Sequence, residues 1–128
     1  MSELYIGVMS GTSLDGVDIV LCKVKNANFE LIHSSSYSFS KDLKKDILKA
    51  INLETTLKSI GELDTRLGLM YAKQINKFLT THNIKAKDVK AIGLHGQTLW
   101  HEPNTKFAFS MQLANAGLVN VKTNKAVV

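Results

Sequence analysis

The sequence predicts an α/β protein with a mixed sheet: an antiparallel three-strand meander, plus parallel strands and flanking helices. Three observations predict it. Short apolar runs separated by turn residues fill the chain before residue 40. The apolar period then changes to that of a helix through residue 81. A buried-looking strand follows at Val89 to Leu94. The 128 residues suit one domain on a prior of about 150 residues each.

Leu4 to Met9 is the first apolar run, ending at Ser10-Gly11. Val17 to Val24 is the second, with Val17, Ile19 and Leu21 on one face and Asp18, Val20 and Cys22 on the other. Asn26-Ala27-Asn28 is turn chemistry before a third strand from Phe29 to Phe39. Ser40 is an N-cap residue ahead of Lys41 to Ile51, where Leu43, Ile47, Leu48 and Ile51 recur at helical spacing. A longer helix is predicted from Thr56 to Thr81, ended by Asn83, with Ile60, Leu63, Leu67, Met70, Tyr71, Ile75 and Phe78 on its apolar face. Gly61 and Gly68 share one side of it, which suggests close contact with a neighbouring element. After Val89 to Leu94, His95-Gly96-Gln97-Thr98 reads as a polar loop. Leu99 to His101 and Phe107 to Ser110 read as a hairpin, Met111 to Thr123 as a helix weakened by Gly117, and Ala126-Val127-Val128 as the opening of another strand. Stopping within an apolar run suggests the N-terminal part of a longer protein.

Hydrophobic residues make up 45% and charged residues 21%, the balance of an ordinary globular protein rather than a disordered one. No apolar run approaches the roughly 18 residues of a membrane span. Glu3 stands where an export signal carries Lys or Arg, and the one cysteine, Cys22, cannot form an internal disulfide. Both features suggest a cytoplasmic location. The net charge of +5 comes almost wholly from lysine, Arg66 being the one arginine. The lysines are interrupted by Asp42 and Asp46 and lack interleaved aromatics, so they read as a solvated surface and not as a nucleic-acid site.

Two constellations could carry chemistry. The first is Gly11-Thr12-Ser13-Leu14-Asp15-Gly16-Val17-Asp18, between two predicted strands. Its glycines allow close backbone approach, its amides can form an anion nest, and Ser10, Thr12 and Ser13 add hydroxyl donors. Asp15 and Asp18 are hard oxygen donors suited to Mg²⁺ through water. The spacing from Gly11 to Gly16 matches a P-loop, but Val17-Asp18 replace its Lys-Ser/Thr and a strand follows instead of a helix. The open choices are a strand–turn–strand phosphate loop and a plain polar hairpin. The second is Gly93-Leu94-His95-Gly96-Gln97-Thr98-Leu99-Trp100-His101, beyond the carboxyl end of a core strand, where ligands bind in open α/β sheets. His95 and Gln97 could meet a ligand, Gly96 would let it approach, and Trp100 could stack on a sugar or base. The alternative for His95 is a loop histidine satisfied by its neighbours. A metal site from His95, His101 and Glu102 has no supporting third spacing. Glu62 and Asp64 read as a solvated helix face, and Cys22 as buried and inert.

Gly7 through Asp18 closely resembles the opening motif of the anhydro-N-acetylmuramic acid kinases. Gly93 through Thr98, with Trp100-His101 and Pro103, resembles their second signature. Glu62-Leu63-Asp64 with Leu67-Gly68 resembles their long-helix signature, and Ser110-Met111-Gln112-Leu113 with Asn115 the segment after the hairpin. The resemblance implies a ribonuclease H-like lobe of the actin/hexokinase/Hsp70-type ATPase superfamily, residues 1–128 being the N-terminal lobe and the second lobe lying outside them. It implies ATP and Mg²⁺, phosphorylation of 1,6-anhydro-N-acetylmuramic acid at O6 with water added at C1, and N-acetylmuramic acid 6-phosphate as product in cell-wall recycling. The implied ATP phosphate-binding residues are Gly11, Thr12, Ser13, Leu14, Asp15, Gly16, Val17 and Asp18. Asp15 and Asp18 are the metal candidates, and His95 and Gln97 the sugar-binding ones. The general-base aspartate is expected beyond Val128, and the family's next motif there is Asp-Phe-Arg. The full-length form is expected to act on a small amino sugar and ATP, apart from nucleic acid and membrane, and to be able to form a homodimer. Ala114 departs from the pattern by standing where the family usually has glycine. Two other functions fit the same lobe: an Hsp70-like ATP-binding interaction or chaperone module, and an inactive truncated remnant. His95-Gly96-Gln97-Thr98 favours the kinase, because a chaperone does not need it.

Overall fold

The computed structural model describes residues 2–128. The chain runs through strands β1 (Glu3–Ser10), β2 (Val17–Lys25) and β3 (Asn28–Tyr37), then helices α1 (Lys41–Ile51) and α2 (Leu57–Thr81). A 3₁₀ turn at Ala86–Asp88 leads into β4 (Val89–Leu94). A hairpin of β5 (Gln97–Glu102) and β6 (Phe109–Leu113), helix α3 (Ala116–Thr123) and the short β7 (Ala126–Val127) complete it.

The main sheet has five strands in the order β3-β2-β1-β4-β7. The meander is antiparallel, with Ile6 opposite Leu21 and Ile19 opposite Ser35. β4 returns parallel to β1, Ile6 opposite Ile92, and β7 runs parallel to β4. Period 2 sets the faces. Ile6, Val8, Ile19, Leu21 and Ile92 point into the core, where they meet Leu43 and Ile47 of α1, Leu67, Tyr71, Ile75 and Phe78 of α2, and Val119 of α3. Burying each of these large side chains contributes about 1.5–3 kcal/mol. Ser40 caps α1, its hydroxyl accepting from the Leu43 amide at 3.2 Å. Thr56 caps α2 in the same way through Ser59. Asn26 and Ala27 both adopt positive φ, which gives the two-residue β2–β3 hairpin its turn.

The predicted mixed α/β architecture is the observed one, but several boundaries move, among them the start of β6, at Phe109 and not Phe107. Gln97 and Thr98 are not loop residues; they open β5 by pairing with Leu113 and Gln112. Met111 to Leu113 belong to β6 and not to a helix, because that ladder claims their backbone groups. α3 therefore starts only at Ala116, capped by Asn115, whose side chain accepts from the Leu118 amide. β3 ends at Tyr37, two residues before the predicted end at Phe39, where the chain turns into the α1 cap.

Candidate functional site

Parallel pairing puts the carboxyl ends of β1 and β4 side by side, and the two constellations leave from those ends. The His95 amide extends the ladder by donating to the Val8 carbonyl at 3.2 Å. Gln97 ties the two loops together: its Nε2 donates to the Gly11 carbonyl at 3.4 Å and to the Thr98 carbonyl at 3.2 Å. Gln97 is fully buried, and its Oε1 has no partner. A buried acceptor without a donor costs roughly 1–3 kcal/mol, and an ordered water is the partner that would satisfy it.

The glycine loop is pinned from below and open above. Leu14 is buried in the core with φ of 56°, and its amide donates to the Gly11 carbonyl at 3.2 Å. A branched residue in the left-handed region stores strain of order 1 kcal/mol, which the burial of its side chain offsets. Val17 is also wholly buried. The side chains of Leu14 and Val17 thus face the core, while Gly11, Thr12, Ser13, Asp15 and Asp18 are exposed. Gly16 is required by close approach: a Cβ there would lie 2.6 Å from the Tyr37 carbonyl oxygen. Asp18 accepts from the Ser36 hydroxyl at 2.5 Å. A cavity lined by Met9, Gly11, Ser13, Asp15, Gly16, Asp18 and Ser36 opens over the loop. A second, lined by Gly7, Val8, Met9, Asp18, Val20, Gly93 and His95, lies on the same side. Met9 and Asp18 border both, so Asp18 sits between the glycine loop and His95.

His95 is exposed, with Nδ1 3.0 Å from the Gly96 carbonyl. With the proton on Nδ1 donated to that oxygen, Nε2 is left as an acceptor facing solvent. Ser10 departs from the expected role of phosphate donor. It is buried, its Oγ 2.7 Å from the Tyr71 hydroxyl, and it also donates to the Gly96 carbonyl at 3.4 Å. Burial pushes the Tyr71 hydroxyl up to about 12, against the opposing effect of the Ser10 hydrogen bond. Tyr71 was legible only as one member of an apolar stripe. Its hydroxyl in the middle of that stripe is the signal that it needs a buried polar partner.

Asp64 is not a solvated residue. Its Oδ1 accepts from the backbone amides of Ala114 and Asn115, both at 3.1 Å. One turn on, Gly68 leaves room for the same segment, since a Cβ there would lie 2.9 Å from Asn115 Cβ. Gly61, on the same side of α2, has nothing near it, so close contact holds for Gly68 and fails for Gly61. A Cβ on Gly96, which has φ of 80°, would lie 2.8 Å from the Leu113 carbonyl and 3.1 Å from the Ala114 methyl. The methyl of Ala114 is therefore accommodated by the bare α-carbon of Gly96. Cys22 is half-buried and not fully enclosed. Glu102 accepts from the Trp100 indole at 2.9 Å.

No group of three or more His, Cys, Asp or Glu is placed to hold a metal among the described residues, which leaves no site from His95, His101 and Glu102. Asp15 and Asp18 lining one cavity are hard donors of the kind Mg²⁺ takes alongside phosphate oxygens and water. No helix among the described residues is long and apolar enough to cross a membrane.

The family model for anhydro-N-acetylmuramic acid kinase matches residues 3–128. A protein of that name from Sulfurimonas denitrificans is 56% identical over 128 residues, covering 100% of this chain and 35% of the relative. Its namesake from a Sulfurovum species is 50% identical over 126 residues, 98% of this chain and 35% of the relative. The one from Haemophilus influenzae is 43% identical over 127 residues, 98% of this chain and 33% of the relative. The chain thus spans about a third of the length of these relatives.

Proposed function

The chain belongs to the anhydro-N-acetylmuramic acid kinase family, and on that premise we propose that it forms the N-terminal lobe of an ATP-dependent kinase acting on 1,6-anhydro-N-acetylmuramic acid. One observation carries the proposal: Gln97 joins the glycine loop to the β4–β5 turn, with His95 and Asp18 bordering a single cavity beside it. A glycine loop and a polar turn side by side at the carboxyl ends of β1 and β4 suit a phosphoryl donor and a hydroxylated acceptor.

In this mechanism the amides of Thr12, Ser13 and Asp15 and the hydroxyls of Thr12 and Ser13 hold the terminal phosphates of ATP. Asp15 and Asp18 would hold Mg²⁺ through water, and the ion would neutralise charge on the transferred phosphoryl group. His95 Nε2 accepts from a sugar hydroxyl, and the buried Gln97 amide keeps the two loops in register beside it. Water adds to C1 of the sugar, losing a proton to a base. The C1–O6 bond breaks, and O6 takes the γ-phosphoryl group as the O–P bond to ADP breaks. The base is assigned to an aspartate beyond residue 128, on the resemblance. Cytoplasmic location, and a homodimer in the full-length form, belong to the same proposal.

His95→Ala in the full-length enzyme is the test. Losing one polar partner of the sugar is expected to lower kcat/KM for the anhydro sugar about tenfold to hundredfold, equivalent to about 1–3 kcal/mol. ATP affinity should stay within about twofold, because the phosphate loop is a separate element. A lower melting temperature with unchanged kinetics would remove His95 from the site.

A further inference from the structure

Away from the two loops, a groove runs along α2 where it faces α1 and the end of β3. Its floor is apolar, made by Leu43, Leu69 and Met70, and its rim carries Lys73 and Lys77. Arg66, at the far end, is already matched by Asp46 at 2.6 Å. No acidic side chain lines the groove, and neither Lys73 nor Lys77 has a carboxylate partner among the described residues. Lys77 lies 5.6 Å from the centre of the Tyr37 ring, which keeps its ammonium over the groove. Between the lysines sits Gln74, 8% exposed, with an Oε1 that is buried and unpartnered.

Each of these features calls for something different. Two unpaired cations attract an anion, although solvation screens them. The floor takes an apolar group. A buried, unsatisfied amide takes a donor, or an acceptor if its oxygen and nitrogen are exchanged. A peptide unit carries both an N–H and a C=O and answers Gln74 in either orientation. From Arg66 to Lys77 the helix rises about 16 Å, the reach of about five extended residues.

We propose that this groove binds a short acidic peptide. One backbone amide pairs with Gln74, carboxylates meet Lys73 and Lys77, and an apolar side chain rests on Leu43, Leu69 and Met70. The site is separate from the glycine loop and does not depend on the kinase assignment.

The test is a ligand-observed NMR titration of the full-length protein with N-acetyl-Leu-Glu-Glu. Hexanoate, which has the apolar body and the carboxylate but no amide, is titrated in parallel. The peptide is expected to bind saturably and at least about tenfold tighter than hexanoate, which lacks both the amide for Gln74 and a carboxylate for the second lysine. Lys73→Glu and Lys77→Glu should each weaken the peptide about five- to thirtyfold and remove much of its salt dependence. Gln74→Leu should weaken it about tenfold while holding or raising the melting temperature, because an unsatisfied buried group is lost. Absence of saturable binding overturns the proposal. So does equal binding of hexanoate, or unchanged peptide affinity in any of the three variants at an intact melting temperature.

Discussion

A side chain at Gly16 has nowhere to go, because its first carbon would lie 2.6 Å from a backbone oxygen of Tyr37 that the meander holds in place. Gly16→Val should therefore displace the whole loop, whereas Asp18→Asn keeps the loop and removes only a charge. In the full-length enzyme both should lower kcat/KM by about tenfold or more, the scale of one lost transition-state contact. Steady-state kinetics over a Mg²⁺ titration separate them: added metal should partly rescue the asparagine and leave the valine where it is. Wild-type kinetics in both variants would move phosphate binding to another element. A buried hydroxyl gives a second prediction at this scale. Tyr71 loses its proton near 10 when unfolded and at about 12 when folded, because burial disfavours the phenolate. The folded state thus binds the proton more tightly, and the associated stability is complete below pH 10 and disappears as the pH rises through about 12. Urea midpoints of the wild type and Tyr71→Phe, compared across that interval, should converge toward high pH. A constant gap would mean that burial does not hold the Tyr71 hydroxyl above its ordinary value.

Helix α2 carries more of the site than its apolar stripe suggests, and it does so through Asp64. One carboxylate oxygen receives two amides at the start of α3, and the segment it holds rests on Gly68 and Gly96. Charge-assisted hydrogen bonds of this kind contribute more than neutral ones. Asp64→Ala should cost about 1–3 kcal/mol in urea unfolding, and Asp64→Asn, which keeps an acceptor oxygen, about half as much. Equal losses in the two variants would show that Asp64 acts through volume and not as an acceptor. This contact also marks where sequence reasoning ran out. β1, β2, β4, α1 and α2 were legible because their signals are local: alternating apolar residues, Ser40 as a cap, and one apolar face on α2. The hairpin of β5 and β6 was legible too, but its extent was not, because polar Gln97 and Thr98 become strand only through pairing with Leu113 and Gln112. Asp64 read as solvated because its partners lie 50 and 51 residues away. Of the candidate site, the motif positions of Gly11, Gly16, Asp18 and His95 were legible. The roles of Ser10 and Tyr71 were not, since a hydroxyl in a sequence does not show whether it faces a ligand or a core.

At the scale of the whole chain, the sheet order β3-β2-β1-β4-β7 centres the parallel β1 and β4 pair and brings both loops to one edge. The helices cover one face, leaving the loop edge open, with Thr12, Ser13, Asp15 and His95 exposed along it. Such an edge can present phosphate contacts and a sugar-facing histidine, but it encloses neither ligand. Phosphoryl transfer depends chiefly on positioning and charge stabilisation, and holding two reactants in line is worth about 7–11 kcal/mol of barrier. Exposed amides, hydroxyls and carboxylates on one lobe supply only part of that, because water competes for each of them. The base proposed for the attacking water is also expected outside these residues. Residues 1–128 by themselves are therefore expected to turn over the anhydro sugar at least about a thousandfold more slowly than the full-length enzyme, equivalent to about 4 kcal/mol of lost transition-state stabilisation. A labelled-ATP assay on the two proteins at matched concentration measures this, with circular dichroism confirming that the shorter one is folded. A folded short protein with comparable turnover would place the whole of catalysis on this one sheet edge, and Asp15, Asp18 and His95 would then be the groups to test as the base.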